Sequence, residues 1–99
     1  MTKTFKLSPE AQQDLYDIWS YIADDNISAA NRVEKDIYDA MNKLSSAPFI
    51  GHIREDITEK SLRFWSVHSY MIVYNPETHP LWIVRVLSGY RDITDLLGD

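Results

Sequence analysis

The chain has 99 residues, a formal net charge of −5, 44% hydrophobic and 12% aromatic residues, and no cysteine. Disulfide staples, thiolate metal sites and cysteine nucleophiles are thereby excluded, and the acidic balance disfavours generic binding to nucleic acid, whose phosphates demand a positive field. One domain spanning residues 1–99 is expected, and a domain this small buries only about two thirds of its unfolded surface, so a stabilising partner suits it.

The first residues, MTKTFKLSPEAQQDL, lack the basic start and long apolar core of a signal peptide. No apolar run approaches the roughly 18 residues of a membrane span. A cytoplasmic location away from membranes is the expectation. Residues 3–7 (KTFKL) alternate polar and apolar and predict a short strand. Ser8 then offers an N-cap, Pro9 suits the first helical turn, and Glu10 complements the helix dipole. Ala11, Leu15, Ile18, Trp19 and Ile22 recur on one helical stripe, which the turn-forming Asp24, Asp25 and Asn26 end.

Ser28 is the expected cap of a second helix, with Ala30, Val33, Ile37, Ala40, Met41 and Leu44 on one face. Two amphipathic helices joined by a short turn predict an antiparallel hairpin. Residues 45–61 contain Pro48 and Gly51 and read as a long connection. Three strand-like runs follow, at 62–67 (LRFWSV), 70–74 (YMIVY) and 81–87 (LWIVRVL), separated by turn-sized gaps. The third is apolar on both faces apart from Arg85, as a central covered strand would be. Asp92 can cap a terminal helical turn with Ile93, Leu96 and Leu97 inward and Gly98 ending it. The order β-α-α-β-β-β predicts an α+β fold, its helical hairpin laid on one face of a largely antiparallel four-stranded sheet.

Several of these segments together resemble the RelE/ParE superfamily of bacterial toxins, and its ParE branch in particular. The resemblance spans almost the whole chain: LSPEAQQDLYDIWSYIADDN and AANRVEKDIYDAMNKLSSAP for the helices, PFIGHIRED as a proline-x-x-glycine loop with a downstream arginine, and a carboxyl half ending in RVLSGYRD. It implies the toxin of a type II toxin–antitoxin system, one that inhibits DNA gyrase by binding and needs no cofactor or metal. It also implies a cognate ParD-like antitoxin with a ribbon-helix-helix DNA-binding half. Such an antitoxin would lay an amphipathic helix in an apolar groove, with a strand added to a sheet edge. RelE-branch relatives cleave mRNA on the ribosome instead, and a degenerate, non-toxic interaction domain is a further alternative.

On the ParE reading the target-binding candidates are Arg54, Arg63, Arg85, Tyr90 and Arg91, and no catalytic residue is expected. On the ribonuclease reading Arg63, Arg85, Tyr90 and Arg91, joined by Arg54 and His52, would have to grip and protonate one phosphate. The acidic residues among 55–59 and the overall charge argue against that, as does Ser88 where many relatives have histidine. Each candidate also has a plainer reading. Arg85 in an apolar strand is either paired with a carboxylate or emerges on an open face, Gly89 is a turn residue, and Asp92 is a cap or a partner of Arg91. Trp19, Trp65 and Trp82 read as core anchors between hairpin and sheet, although one of them, with Trp19 and Trp65 the candidates, could line an antitoxin groove. Asp14, Asp17, Asp24, Asp25, Asp36 and Asp39 read as solvated helix faces. His52, His68 and His79 are too scattered to suggest a metal site and belong in loops or turns.

Overall fold

A computed structural model describes residues 5–54 and 61–88. Strand β1 (Phe5–Leu7) leads into helices α1 (Pro9–Ala23) and α2 (Ile27–Ser46), and a single 3₁₀ turn (Pro48–Ile50) follows. Strands β2 (His52–Ile53), β3 (Arg63–Val67), β4 (Tyr70–Asn75) and β5 (Leu81–Ser88) complete the order. The terminal helical turn expected around Asp92 lies outside the described residues.

The α+β class and the helical hairpin agree with the sequence, but the sheet differs from the four antiparallel strands expected. It has five strands in the order β1-β5-β4-β3-β2. β1 lies parallel to β5, Phe5 opposite Leu81 and Leu7 opposite Ile83, so the sheet is mixed. The extra strand is β2, within the segment read as a connection. Its two residues pair with Phe64 and Arg63, and so short a strand carries no periodic signal of its own.

Ser8 caps α1 as expected: its Oγ accepts from the Ala11 amide at 2.9 Å. The same hydroxyl donates to the Val84 carbonyl at 2.6 Å, and the Ser8 amide donates to the Ile83 carbonyl at 3.0 Å. One residue thus ends β1, starts α1 and pins both to β5. The second cap is Asn26, not Ser28. Asn26 has an extended backbone, and its Oδ1 accepts from the Ala29 amide at 3.0 Å. Asn satisfies an orphan amide at least as well as Ser, so the helix starts earlier and the turn shrinks to Asp24 and Asp25.

The hairpin covers one face of the sheet. Ala11, Leu15, Ile37, Met41 and Leu44 meet Ile72, Tyr74, Ile83 and Val86 in the main core. Phe64, Met71, Val73 and Leu87 form a second buried cluster, on the alternate positions of the same strands. β5 is therefore the covered inner strand that its apolar run predicts. It also carries one extra residue, Val84, between the pairs Arg85–Val73 and Ile83–Tyr74. That bulge shifts the alternation by one, which puts Ile83 and Val86 on the same side of the sheet.

Candidate functional site

β5 outruns its parallel neighbour, because pairing with β1 stops at Ile83. Beyond that point its edge needs other hydrogen-bond partners. Asp14, one turn into α1, supplies them. Its Oδ2 accepts from the Val86 amide at 3.0 Å and from Arg85 Nε at 2.7 Å, while Oδ1 accepts from the second Arg85 nitrogen at 2.8 Å. The side chains are only 21% and 13% exposed. The hydrogen bonds to Asp14 raise the Arg85 pKa first of all, against the opposing effect of burial. Of the two readings open for Arg85, the paired one is what the structure shows. Asp14 is accordingly not a solvated face residue: it is an inward tie with its partner 71 residues away in sequence.

Arg63 is also engaged with the protein. It donates to the Gly51 carbonyl at 2.8 Å and the Phe49 carbonyl at 3.1 Å, and its guanidinium lies 5.2 Å from the centre of the Phe49 ring. Tyr74 works on the same loop from the core. Its hydroxyl donates to the Pro48 carbonyl at 2.7 Å and accepts from the Gly51 amide at 2.9 Å. Burial raises the phenol pKa, with the Gly51 amide and Arg63 pulling the other way. Gly51 is required sterically, since a Cβ there would collide with the Tyr74 ring and hydroxyl. The proline-x-x-glycine segment is thus a latched loop. It carries Phe49 at 59% exposure, with Ile50 and Ile53 exposed beside it.

Arg54 follows β2 and is half-buried. Its neighbours in the candidate set diverge: Arg54 and Arg63 lie at the β2–β3 edge, whereas Arg85 lies across the sheet against α1. Tyr90 and Arg91, with Gly89 and Asp92, fall outside the described residues. Ser88 is exposed at the end of β5, opposite Tyr70 on β4 and in a small cleft with Asp17 and Tyr21.

The tryptophans are not the deep anchors that the sequence suggested. Trp82 is exposed and shares its register with Lys6 and Asn75, on the face turned away from the hairpin. Trp65 is half-buried at the other edge. Lys43 Nζ lies 5.0 Å from its ring centre, and the His52 ring stacks on it at 6.2 Å and 11°. Trp19 ties the helices together by donating to Asn31 Oδ1 at 2.9 Å. It lines an open groove with Phe5, Leu15, Tyr16 and Tyr38, flanked by Lys6 and Glu34. Tyr38 sits against Phe5 with ring centres 6.1 Å apart, and burial, then Glu34, raises its phenol pKa.

The histidines are scattered as expected, though His52 is in a strand and not a loop. His68 occupies the β3–β4 turn at φ 56°, and its Nε2 lies 2.7 Å from Asp36 Oδ2. Asp36 is therefore a second aspartate that ties the hairpin to the sheet. Sequence reasoning overlooked Phe49, Ile50, Ile53 and Lys43. The available signal was an apolar Phe-Ile pair held between Pro48 and Gly51, in a stretch otherwise too polar for a core element.

Comparison with known proteins agrees with this architecture. The family model described as the ParE toxin of the type II toxin–antitoxin system parDE matches residues 5–93. No curated protein matches the sequence. Among solved structures, a chain of the chromosomal ParDE toxin–antitoxin system from P. aeruginosa has the same fold. It matches with a TM-score of 0.69 at 18% identity, over 85% of this chain and 92% of that one. The chain belongs to the ParE toxin family of type II toxin–antitoxin systems.

Proposed function

We propose that this chain inhibits DNA gyrase by protein–protein contact, without covalent chemistry of its own, and that a ParD-like antitoxin neutralises it. The supporting observation is how its arginines are held. A ribonuclease would need convergent cations around one phosphate. Arg63 on β3 instead grips two loop carbonyls and Arg85 on β5 grips Asp14, each guanidinium occupied by its own partner with β4 between the two strands. Target contact is assigned to the β2–β3 edge with Arg54 and Arg63, and to the end of β5, where Arg85 holds the strand that leads to Tyr90 and Arg91.

The antitoxin is assigned to the other side of the molecule. The groove of Phe5, Tyr16, Trp19 and Tyr38 is open and largely aromatic, and it runs beside β1, the outer strand of the sheet. An amphipathic helix in the groove and a strand added to β1 would match it. The antitoxin would bring a ribbon-helix-helix half that binds DNA, leaving the toxin without a nucleic-acid contact of its own. Purified protein should block gyrase supercoiling and accumulate cleaved DNA, and the antitoxin should reverse both. Cleavage of mRNA in a translation extract with gyrase untouched would replace this reading by the ribonuclease one.

A further inference from the structure

The helical hairpin is strongly acidic: residues 9–46 hold eight carboxylates against Arg32, Lys35 and Lys43. Three of those carboxylates are half-buried, namely Asp14, Glu34 and Asp36. Asp14 is paired with Arg85 and Asp36 with His68. Glu34 makes no hydrogen bond or ion pair among the described residues. The cations nearest in sequence do not serve it. Lys35 is paired with Asp39, and Arg32, two positions away, is off the face that Glu34 shares with Tyr38. That face is a wall of the open groove. Trp19 stands opposite on α1, tied to Asn31 one turn before Glu34. Burial first, and the charge of Glu34 second, raise the Tyr38 pKa, so the carboxylate acts on that wall. Lys6 is the only cation lining the groove among the described residues, and Lys3 lies outside them. Lys6 does not neutralise Glu34: it shares its register with Trp82, on the sheet face turned away from the hairpin.

We infer that Glu34 is the residue by which the groove selects its occupant: it takes an arginine carried among the apolar anchors of an amphipathic partner helix. This role rests on the antitoxin reading of the groove and names the side chain that the antitoxin must bring there. A half-buried carboxylate with no cation beside it is held at a cost. That cost grows when a partner covers the groove, unless the partner supplies the cation. An arginine suits the place best. Its guanidinium can pair with both Glu34 oxygens while its flat face lies against the ring of Trp19 or Tyr38. An ammonium is a point charge without that fork. A carboxylate or an apolar side chain at the same position would leave Glu34 covered and unpaired. The groove therefore rejects wrong helices as well as favouring right ones.

The test is a titration of the folded protein with three synthetic amphipathic peptides. All carry leucines at helical spacing and differ only in a central arginine, glutamine or glutamate beside the leucine face. Binding is read by calorimetry and at the Trp19 indole by NMR. The arginine peptide should bind about tenfold more tightly than the glutamine one, and the glutamate peptide should bind most weakly. Glu34→Gln should abolish this preference and Glu34→Lys should reverse it toward glutamate. Glu34 has no partner in the fold to lose, so both variants should keep the parent's urea midpoint. Equal affinity for the three peptides, a preference that persists in Glu34→Gln, or no movement of the Trp19 indole with any of them would each overturn the inference. Tyr16→Asp, measured in parallel with a cognate ParD-type antitoxin, reports on the antitoxin reading itself. Antitoxin lost by Tyr16→Asp but held at full affinity by Glu34→Lys would keep that reading and sink the selection by Glu34.

Discussion

The carboxylate of Asp14 holds the Arg85 guanidinium and the Val86 amide at the same time, which locks α1 onto the part of β5 that runs past its pairing with β1. Removing the acid leaves a largely buried cation and an unpaired amide, whereas removing the arginine leaves a carboxylate that still has the amide. Asp14→Ala should therefore cost more than Arg85→Met. For a pair that keeps some solvent exposure the loss expected from Asp14→Ala is about 2–3 kcal/mol. Urea denaturation of the two variants checks the order. Equal losses would mean that the amide contributes little.

That tie also shows where sequence reading stops. The hairpin was legible because helical stripes and caps are local: Ser8, Pro9 and the apolar positions of both helices announce themselves within a few residues. β3, β4 and β5 were legible because their apolar runs match their length. β2 was not, since two residues have no period, and the parallel placement of β1 is fixed by Ser8 reaching β5 across more than seventy positions. Arg85 could be narrowed to two environments, but only the fold chooses Asp14 from the several aspartates on the hairpin. The loop was misread for a related reason: polar composition dominates the segment, and the latch from Tyr74 to Gly51 is long-range.

Tyr74→Phe should destabilise the protein by about 1–3 kcal/mol, because the Gly51 amide loses its acceptor and the Pro48 carbonyl its donor in a buried place. Its dependence on pH should change as well. Burial raises the Tyr74 pKa above its usual 10.0, so the fold favours the neutral phenol. The associated stability is fully present below pH 10 and is lost as pH rises through the folded-state value. Tyr38 and Tyr70 are shifted in the same direction, chiefly by burial. Denaturation midpoints followed above pH 9 should thus fall with pH in the parent, and fall less steeply in the Tyr74→Phe variant.

Gly51→Ala places a methyl group against the ring and hydroxyl of the fully buried Tyr74, so that the ring or the loop has to shift. Overpacking of this kind costs about 1–3 kcal/mol. The loop should also loosen, which would show as faster amide exchange at Gly51 and Ile53. An alanine variant with parent stability and unchanged exchange would mean that the latch is slack in solution.

The groove proposed for the antitoxin gives a test that folding does not confound. Tyr16 is 66% exposed on α1 and faces the groove without supporting the core, whereas Trp19 bridges the two helices. Tyr16→Asp should keep parent stability yet reduce antitoxin affinity about tenfold or more, as expected for a central aromatic anchor replaced by a charge. Trp19→Ala should lose both affinity and stability, because the hydrogen bond to Asn31 goes with it. Co-purification and calorimetric titration with a cognate ParD-type antitoxin separate the two effects. Full affinity in Tyr16→Asp would move the antitoxin off this groove and onto another part of the surface.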